Sequence, residues 1–392
     1  MLTTAIHPRP YRGRRESPIP VGILYSVSGQ YGVIGREMLN GILLAIEEVN
    51  ANPALPFTLA PVIFDPACNL ENYYHYCHEL LYRHGVRHIV GCYTSASRKQ
   101  ILPLVEGANA LLWHTARYEG FESSNNVIYL GAAPNQHVLP MIRYVAEHYQ
   151  PDIYHIGSDY VWSWEIDRIT GETVEPLGGR MIASRLLPLG ETEVAAIIED
   201  IIVKKPPVVL VTLVGISAYR FYRVWHDMAA DHPFLRSHPI ARLSLTLCEA
   251  EVNMVGAETV EGYLVSAVYF QSIDTPENAQ FLARYRRRFG EDCSPSVDAE
   301  AAWIGGHMLA NAITRCGSDD VALVRQAAYE DVFMAPNGAT RIDADNNHAW
   351  LTPKLARCGA DGKFHIFWQA PEPVKPDPYL TWVGAPEPGA KR

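Results

Sequence analysis

Short apolar runs alternate with amphipathic stretches along the chain, and that beat predicts strands and helices in turn. The run Val21-Gly22-Ile23-Leu24-Tyr25-Ser26 comes first and closes in the loop Val27-Ser28-Gly29-Gln30. Met38, Ile42, Ala45, Ile46 and Val49 then recur at three-to-four spacing, one face of a helix. Strands are predicted at 61–65, 88–92 and 110–113, with a helix over 73–82 between the first two. After Gly131-Ala132-Ala133-Pro134 the beat restarts, with strands at 153–157, 181–187, 208–212 and 241–245. Helices are predicted near 140–149, after Tyr160, and over 194–203 and 217–229. Alternation at this spacing predicts parallel sheets with right-handed crossovers.

Two such runs of similar length predict an α/β fold of two doubly wound parallel-sheet lobes joined by hinge crossovers. The beat breaks near Tyr269-Phe270-Gln271-Ser272, followed by helices at 276–289 and 297–314, then short strands at 350–355 and 364–368. The expected organisation is an N-terminal extension over 1–20 and a first lobe of 21–133 plus about 268–345. A second lobe of 134–267 plus about 346–380 and a tail over 381–392 complete it. Pro371, Pro373, Pro376 and Pro378 mark the last segment as extended.

Length supports this division, since 392 residues exceed the usual size of one core. A net charge of −10 argues against a nucleic-acid surface, and Arg286-Arg287-Arg288 reads as the solvated end of a helix. Seven cysteines without a C-x-x-C pair suit a reducing compartment. Met1 to Pro20 carries arginines but no apolar stretch behind them, so a cytoplasmic location is expected, or a periplasmic one if a signal has been removed. No run of about 20 apolar residues predicts a membrane span.

In open parallel sheets, ligands bind beyond the carboxyl ends of the strands. That rule selects the loops at Ser28-Gly29, Thr94-Ser95-Ala96-Ser97, His114-Thr115-Ala116-Arg117, Ser158-Asp159-Tyr160, Leu213-Val214-Gly215 and Thr246-Leu247-Cys248-Glu249. The hydroxyl-rich loop at Thr94 opens a helix and could grip a carbonyl or carboxylate oxygen, or simply cap the helix. Tyr93 and Tyr160 could donate to a ligand between the lobes, or pack. Nucleophile-elbow, zinc-protease, P-loop and dinucleotide motifs are absent. Cys92 stands at a strand end with no patterned base, and His75, His78, His84 and His88 mix both faces of their helix. Neither catalytic residues nor a metal site nor a cofactor is expected.

Several segments resemble a known family. Gly91-Cys92-Tyr93-Thr94-Ser95-Ala96-Ser97-Arg98-Lys99 and Tyr118-Glu119-Gly120-Phe121-Glu122 are similar to segments of the amide sensors typified by AmiC and of urea-binding components of urea transporters. Gly131-Ala132-Ala133-Pro134-Asn135-Gln136, Gly157-Ser158-Asp159-Tyr160, Ser272-Ile273-Asp274-Thr275-Pro276, Asn346-Asn347-His348 and Lys375-Pro376-Asp377-Pro378-Tyr379 fall in the same order. The resemblance runs from about Val21 to Tyr379. It implies a type 1 periplasmic-binding-protein fold with a short amide or urea held between the lobes. It also implies that Tyr93, Ser95, Tyr160 and, as a weaker match, Thr246 face the ligand. At Trp113-His114-Thr115-Ala116-Arg117 the chain departs from the family: His114 replaces a tyrosine and Arg117 a proline or glutamine. An arginine facing the pocket would favour a carboxylate through paired charge-assisted hydrogen bonds, whereas one turned outward leaves a neutral amide. His114, Ala116 and Arg117 therefore join the candidate ligand-binding residues.

With the cytoplasmic N-terminus, the resemblance implies a ligand sensor that holds an RNA-binding antiterminator protein until its inducer binds, and so represses an amidase-type operon. The alternative is the solute-binding component of an ABC transporter for urea, short amides or a branched-chain-amino-acid-like solute. A homo-oligomer is compatible with both; direct contact with nucleic acid is expected in neither.

Overall fold

A computed structural model describes residues 18–237 and 240–381. The first half runs β1 (Ile19–Leu24), α1 (Gly32–Ala51), β2 (Leu59–Phe64), α2 (Leu70–Tyr82), β3 (His88–Gly91), α3 (Ser95–Gly107), β4 (Leu111–His114) and β5 (Val127–Tyr129). Then come α4 (Pro134–His148), β6 (Asp152–Ser158), α5 (Val161–Val174), β7 (Arg180–Leu187), α6 (Ala195–Lys204), β8 (Val208–Thr212) and α7 (Ile216–Asp231). The run continues with α8 (Pro233–Ser237), β9 (Ala241–Ser244), α9 (Glu249–Val255), α10 (Ala257–Val260) and β10 (Leu264–Ala267). Last are α11 (Pro276–Phe289), α12 (Val297–Cys316), α13 (Val321–Ala328), β11 (Val332–Ala335), β12 (Gly338–Ile342), β13 (Ala349–Trp350), β14 (Lys354–Cys358) and β15 (Phe364–Gln369).

The strands form two large sheets, ordered β2-β1-β3-β4-β5 and β15-β14-β10-β9-β8-β6-β7, and a small antiparallel sheet β11-β12-β13. All five strands of the first sheet run parallel. So do β7, β6, β8, β9 and β10 of the second. Counted from the start of each lobe, both parallel sheets show the order 2-1-3-4-5, so each reverses direction beside its first strand and opens a crevice there. The α/β architecture of two doubly wound lobes is therefore present, with one modification. β14 and β15 extend the second sheet in antiparallel sense, because the chain returns from the first lobe without a covering helix.

Local sequence accounts for the main elements. All five residues of β8 are buried, which suits a continuous β-branched and leucine run in a parallel sheet covered on both faces. Thr94, Thr275, Ser296 and Asp320 accept backbone N–H groups in the first turns of α3, α11, α12 and α13. Helices α1 and α12 approach closely where Gly41 meets Ala299: a Cβ on Gly41 would lie 2.1 Å from the Ala299 carbonyl oxygen. Gly41→Ala is expected to cost about 1–3 kcal/mol, since backbone rather than a flexible side chain must yield. Urea unfolding measures this, and an unchanged midpoint would contradict the close approach.

Two expectations about lobe membership need correction. Residues near 346–350, expected in the second lobe, pair with the first: the Tyr129 N–H bonds the Asn347 carbonyl at 2.9 Å and Tyr129 bridges to His348. The proline-rich stretch also returns to the first lobe, where Phe121 N–H bonds the Pro378 carbonyl at 2.9 Å. The reason is the third crossover, near 351–353, which lets only 354–369 enter the second sheet. The expected N-terminal extension and tail fall almost wholly outside the described residues, and Ile19 and Pro20 already belong to β1. Among the described residues, no helix is long and apolar enough to cross a membrane.

Candidate functional site

The carboxyl ends of the two parallel sheets face each other. From the first lobe, β3 delivers Tyr93 and the first turn of α3, capped by Thr94 Oγ1 on the Ser97 N–H at 3.2 Å, while β4 leads to Arg117. From the second, β6 leads to Tyr160 and to Trp162 in the first turn of α5, and β9 leads to Thr246. Ser158 Oγ accepts the Val214 N–H at 3.0 Å and ties the loops after β6 and β8 together. Tyr93, Ser95, Arg117, Tyr160, Trp162 and Thr246 enclose a cavity of about 10 Å3, the scale of a single water. Five of these are residues selected from the sequence. Trp162 is not, because an aromatic in the first turn of a helix carries no polar signature. Its place two residues beyond Tyr160, just past the carboxyl end of a strand, was the available clue.

The lobes are closed on this cavity. The Ile216 N–H bonds the Gln30 carbonyl across the cleft at 3.1 Å, and the Arg168 guanidinium lies 4.6 Å from the Phe121 ring centroid. Arg117 spans the same gap, donating to the Leu245 carbonyl at 2.5 Å and to Asp298 Oδ2 at 2.8 Å. Its side chain thus lines the cavity, but its charge already has a buried partner. Burial pushes the Asp298 carboxyl up while the guanidinium pulls it back down.

The groups around the cavity differ in the hydrogen-bonding capacity they have left. Trp162 Nε1 is buried without a partner. Among the described residues, the hydroxyls of Tyr93 and Tyr160 have none either. Thr246 Oγ1 spends its hydrogen on the Leu213 carbonyl at 3.0 Å. Ser95 Oγ donates to Glu119 and accepts from Arg98 Nη1 at 3.3 Å. Arg98 is fully buried and also binds Glu119 and Glu122, each at 2.9 Å, so a charged network fixes Ser95 from behind.

Two of the expected ligand-binding residues do not reach the cavity. His114 is fully buried in this network: Nδ1 lies 3.3 Å from the Gly91 carbonyl, and Nε2 lies 3.2 Å from Arg98. As the last residue of β4 it sits on the face opposite Trp113, among the residues packed under α2 and α3. Ala116 is buried against the crossover, where a Cβ on Gly131 would meet its carbonyl at 1.8 Å. Cys92 is buried as well, and burial pushes its thiol far up, the opposite of an activated nucleophile. His88 is buried on the Asp319 carbonyl at 2.9 Å, while His75, His78 and His84 are exposed. No group of three potential metal ligands occurs among the described residues.

Burial shifts two sets of groups in opposite directions. His88 and His137 are pushed down to about 4 and His348 to about 3, and His114 lies well below its ordinary value. Glu37 and Glu249 are pushed up to about 7, Glu251 and Glu300 to about 8. Above about pH 6.5 the histidines are neutral folded and unfolded, while the raised carboxyls hold protons only when folded. Stability is therefore expected to fall from about pH 6.5 through 8, by ~1.4 kcal/mol per pH unit for each carboxyl still protonated. Between about 4.5 and 6.5, protons taken up by unfolded histidines offset this and the profile flattens. Thermal unfolding at pH 6 and pH 8 checks the sign; a higher midpoint at pH 8 would contradict it.

The profile of a family described as "Periplasmic binding protein domain" matches residues 19–384. A Leu/Ile/Val-binding protein homolog from Brucella abortus is 21% identical over 335 residues, 84% of this chain and 85% of the relative. A stretch of 127 residues, 32% of this chain, is 29% identical to a limonene hydroxylase of Geobacillus stearothermophilus and spans 23% of that protein. Among solved structures, the solute-binding protein of an ABC transporter from Rhodopseudomonas palustris, in complex with p-hydroxybenzoic acid, superposes with a TM-score of 0.83 at 20% identity. The superposition covers 91% of this chain and 98% of that one.

Proposed function

The chain belongs to the periplasmic binding protein family, and from that premise we propose that it is a receptor for a small polar solute, of the kind that serves ABC transporters. The observation that carries the reading is the closed cavity at the strand ends, to which each lobe contributes three side chains. Hydrogen-bonding groups without protein partners, Trp162 Nε1 and the Tyr93 and Tyr160 hydroxyls, line it, as they would if a solute completed them. The space is too small for a solute in the closed arrangement, so entry requires the lobes to part and binding then favours closure.

This reading places the transport alternative ahead of the regulator expected from the N-terminus. The relative's name and the neighbour's ligand support a solute receptor, and neither supports an antiterminator partner or a role in transcription. Export to the periplasm accompanies it in place of the expected cytoplasmic location, and the arginine-rich segment behind that expectation lies, up to residue 17, outside the described residues. Binding without turnover is proposed; a match spanning less than a quarter of limonene hydroxylase does not bring that protein's chemistry here.

Amides, urea, amino acids and small carboxylates remain the candidate solutes. Because Asp298 matches the Arg117 charge, the site favours a neutral or zwitterionic molecule over a simple anion. Thermal-shift screening tests this. Short amides, urea or amino acids are expected to raise the midpoint, and Trp162→Phe, which keeps the ring and removes the N–H, to weaken binding about tenfold. No stabilisation by any solute, or an unchanged affinity in Trp162→Phe, would contradict the proposal.

A further inference from the structure

A second cavity, of about 20 Å3, lies behind Arg117 where the crossovers between lobes run together. Arg117 lines both cavities, so its guanidinium is the partition between them. Their polarities are opposite. The outer one is walled by donors, the Trp162 N–H and the tyrosine hydroxyls, and no carboxylate lines it. The inner one is walled by His137, Ser266 and Asp298, whose free capacity is for accepting, and by the Glu300 carboxyl.

His137 is 1% exposed, and its Nδ1 lies 3.0 Å from the Ala133 carbonyl. A carbonyl only accepts, so Nδ1 carries the hydrogen and Nε2 presents a lone pair. That Nε2 is buried without a partner. Ser266 Oγ has committed its hydrogen to the His137 carbonyl at 2.6 Å. Asp298 gives Oδ2 to Arg117, and among the described residues Oδ1 has no hydrogen-bond partner. Glu300 accepts the Asn337 N–H at 3.1 Å and the Asn337 amide at 3.3 Å. Trp162 and His137 lie in parallel planes, 8° apart with ring centroids separated by 6.4 Å, so an unpaired donor and an unpaired acceptor stand on adjacent rings, one per cavity.

Resting on the solute-receptor reading, we infer that the inner cavity is a second compartment of the same site. It takes the ammonium or other N–H donor end of a solute whose carbonyl or carboxylate end lies among the outer donors. An ammonium group is about the size of the water that such a space holds, and the Asp298 carboxylate and the Glu300 carboxyl flank it. The solute is thus a small molecule with a donor group at one end and an acceptor at the other, passing beside Arg117.

Calorimetric titration with β-alanine, 4-aminobutyrate and 5-aminopentanoate, each paired with the alkanoate of equal length, tests this. For one chain length the amino group is expected to improve affinity about tenfold or more. His137→Leu, and independently Glu300→Gln should the first fail to fold, are expected to reduce that gain, measured against the paired alkanoate in the same variant, to below about threefold. An undiminished gain in both variants, or no gain in the wild-type protein, would overturn the inference. Binding of acetamide or leucine that depends on Trp162 would then leave the solute-receptor reading standing; no binding by any of these probes would overturn both.

Discussion

Gly215→Ala is expected to weaken solute binding by roughly 5- to 150-fold, the equivalent of about 1–3 kcal/mol of overpacking in the closed state. Gly215 ends the loop after β8 with φ +62° and ψ −135°, a conformation essentially reserved for glycine. An added Cβ would lie 2.1 Å from the Gln30 backbone oxygen in the other lobe. Two costs follow, and they separate. The local strain, about 1–3 kcal/mol, is present whether the lobes are open or closed and appears in unfolding. The collision with Gln30 exists only when the lobes meet, and it also breaks the bond from the Ile216 N–H to the Gln30 carbonyl. Calorimetry on the variant against a solute that stabilises the wild-type protein reads the second cost alone. Unchanged affinity would mean that the bound state is not the closed arrangement described above.

Arg98→Met is expected to lower stability by about 3–5 kcal/mol, the usual result of removing one partner from a buried ion pair. For a lobe of this size that corresponds to a midpoint lower by roughly 10 °C. The guanidinium has no solvent exposure, and its two carboxylates are 2% and 7% exposed, so neither Glu119 nor Glu122 recovers water when it leaves. Lys99 lies 2.8 Å from Glu122 but is 40% exposed, and it is too well solvated to replace the buried charge. Adding Glu119→Gln and Glu122→Gln to Arg98→Met is expected to restore most of the loss, because uncharged partners need no counter-ion. A triple variant as unstable as the single one would show that packing rather than charge explains the effect. Solute binding is expected to weaken in Arg98→Met too, since Ser95 Oγ loses the donor that fixes it.

Much of the lobe architecture was legible because each parallel strand is a compact apolar run between polar loops, as at 153–157 and 208–212. Signals failed where elements were short or their context tertiary. Leu264–Ala267 is only four residues long, and β11 exposes Val332 and Met334, so neither gave the pattern of a buried strand. The antiparallel join of β14 to β10 depends on the chain's return from the first lobe, which no local period encodes. The same division applies to the site. Tyr93, Ser95, Arg117, Tyr160 and Thr246 all follow parallel strands, so a rule about strand ends located them. His137, Ser266, Asp298 and Glu300 come from three distant segments, α4, β10 and α12, and only the crossing of the hinge segments brings them to one cavity. His114 misled because its strand end satisfied the rule, whereas its side chain points to the face where Arg98 is buried.

A solute bound in the cleft is held by both lobes at once. Hydrogen exchange read by mass spectrometry checks this, with acetamide, urea, leucine and 4-hydroxybenzoate each added to the full chain. At least one of them is expected to slow exchange together at 93–98 in the first lobe and at 158–164 and 213–217 in the second. Slowing confined to one lobe, or absent with all four, would contradict it.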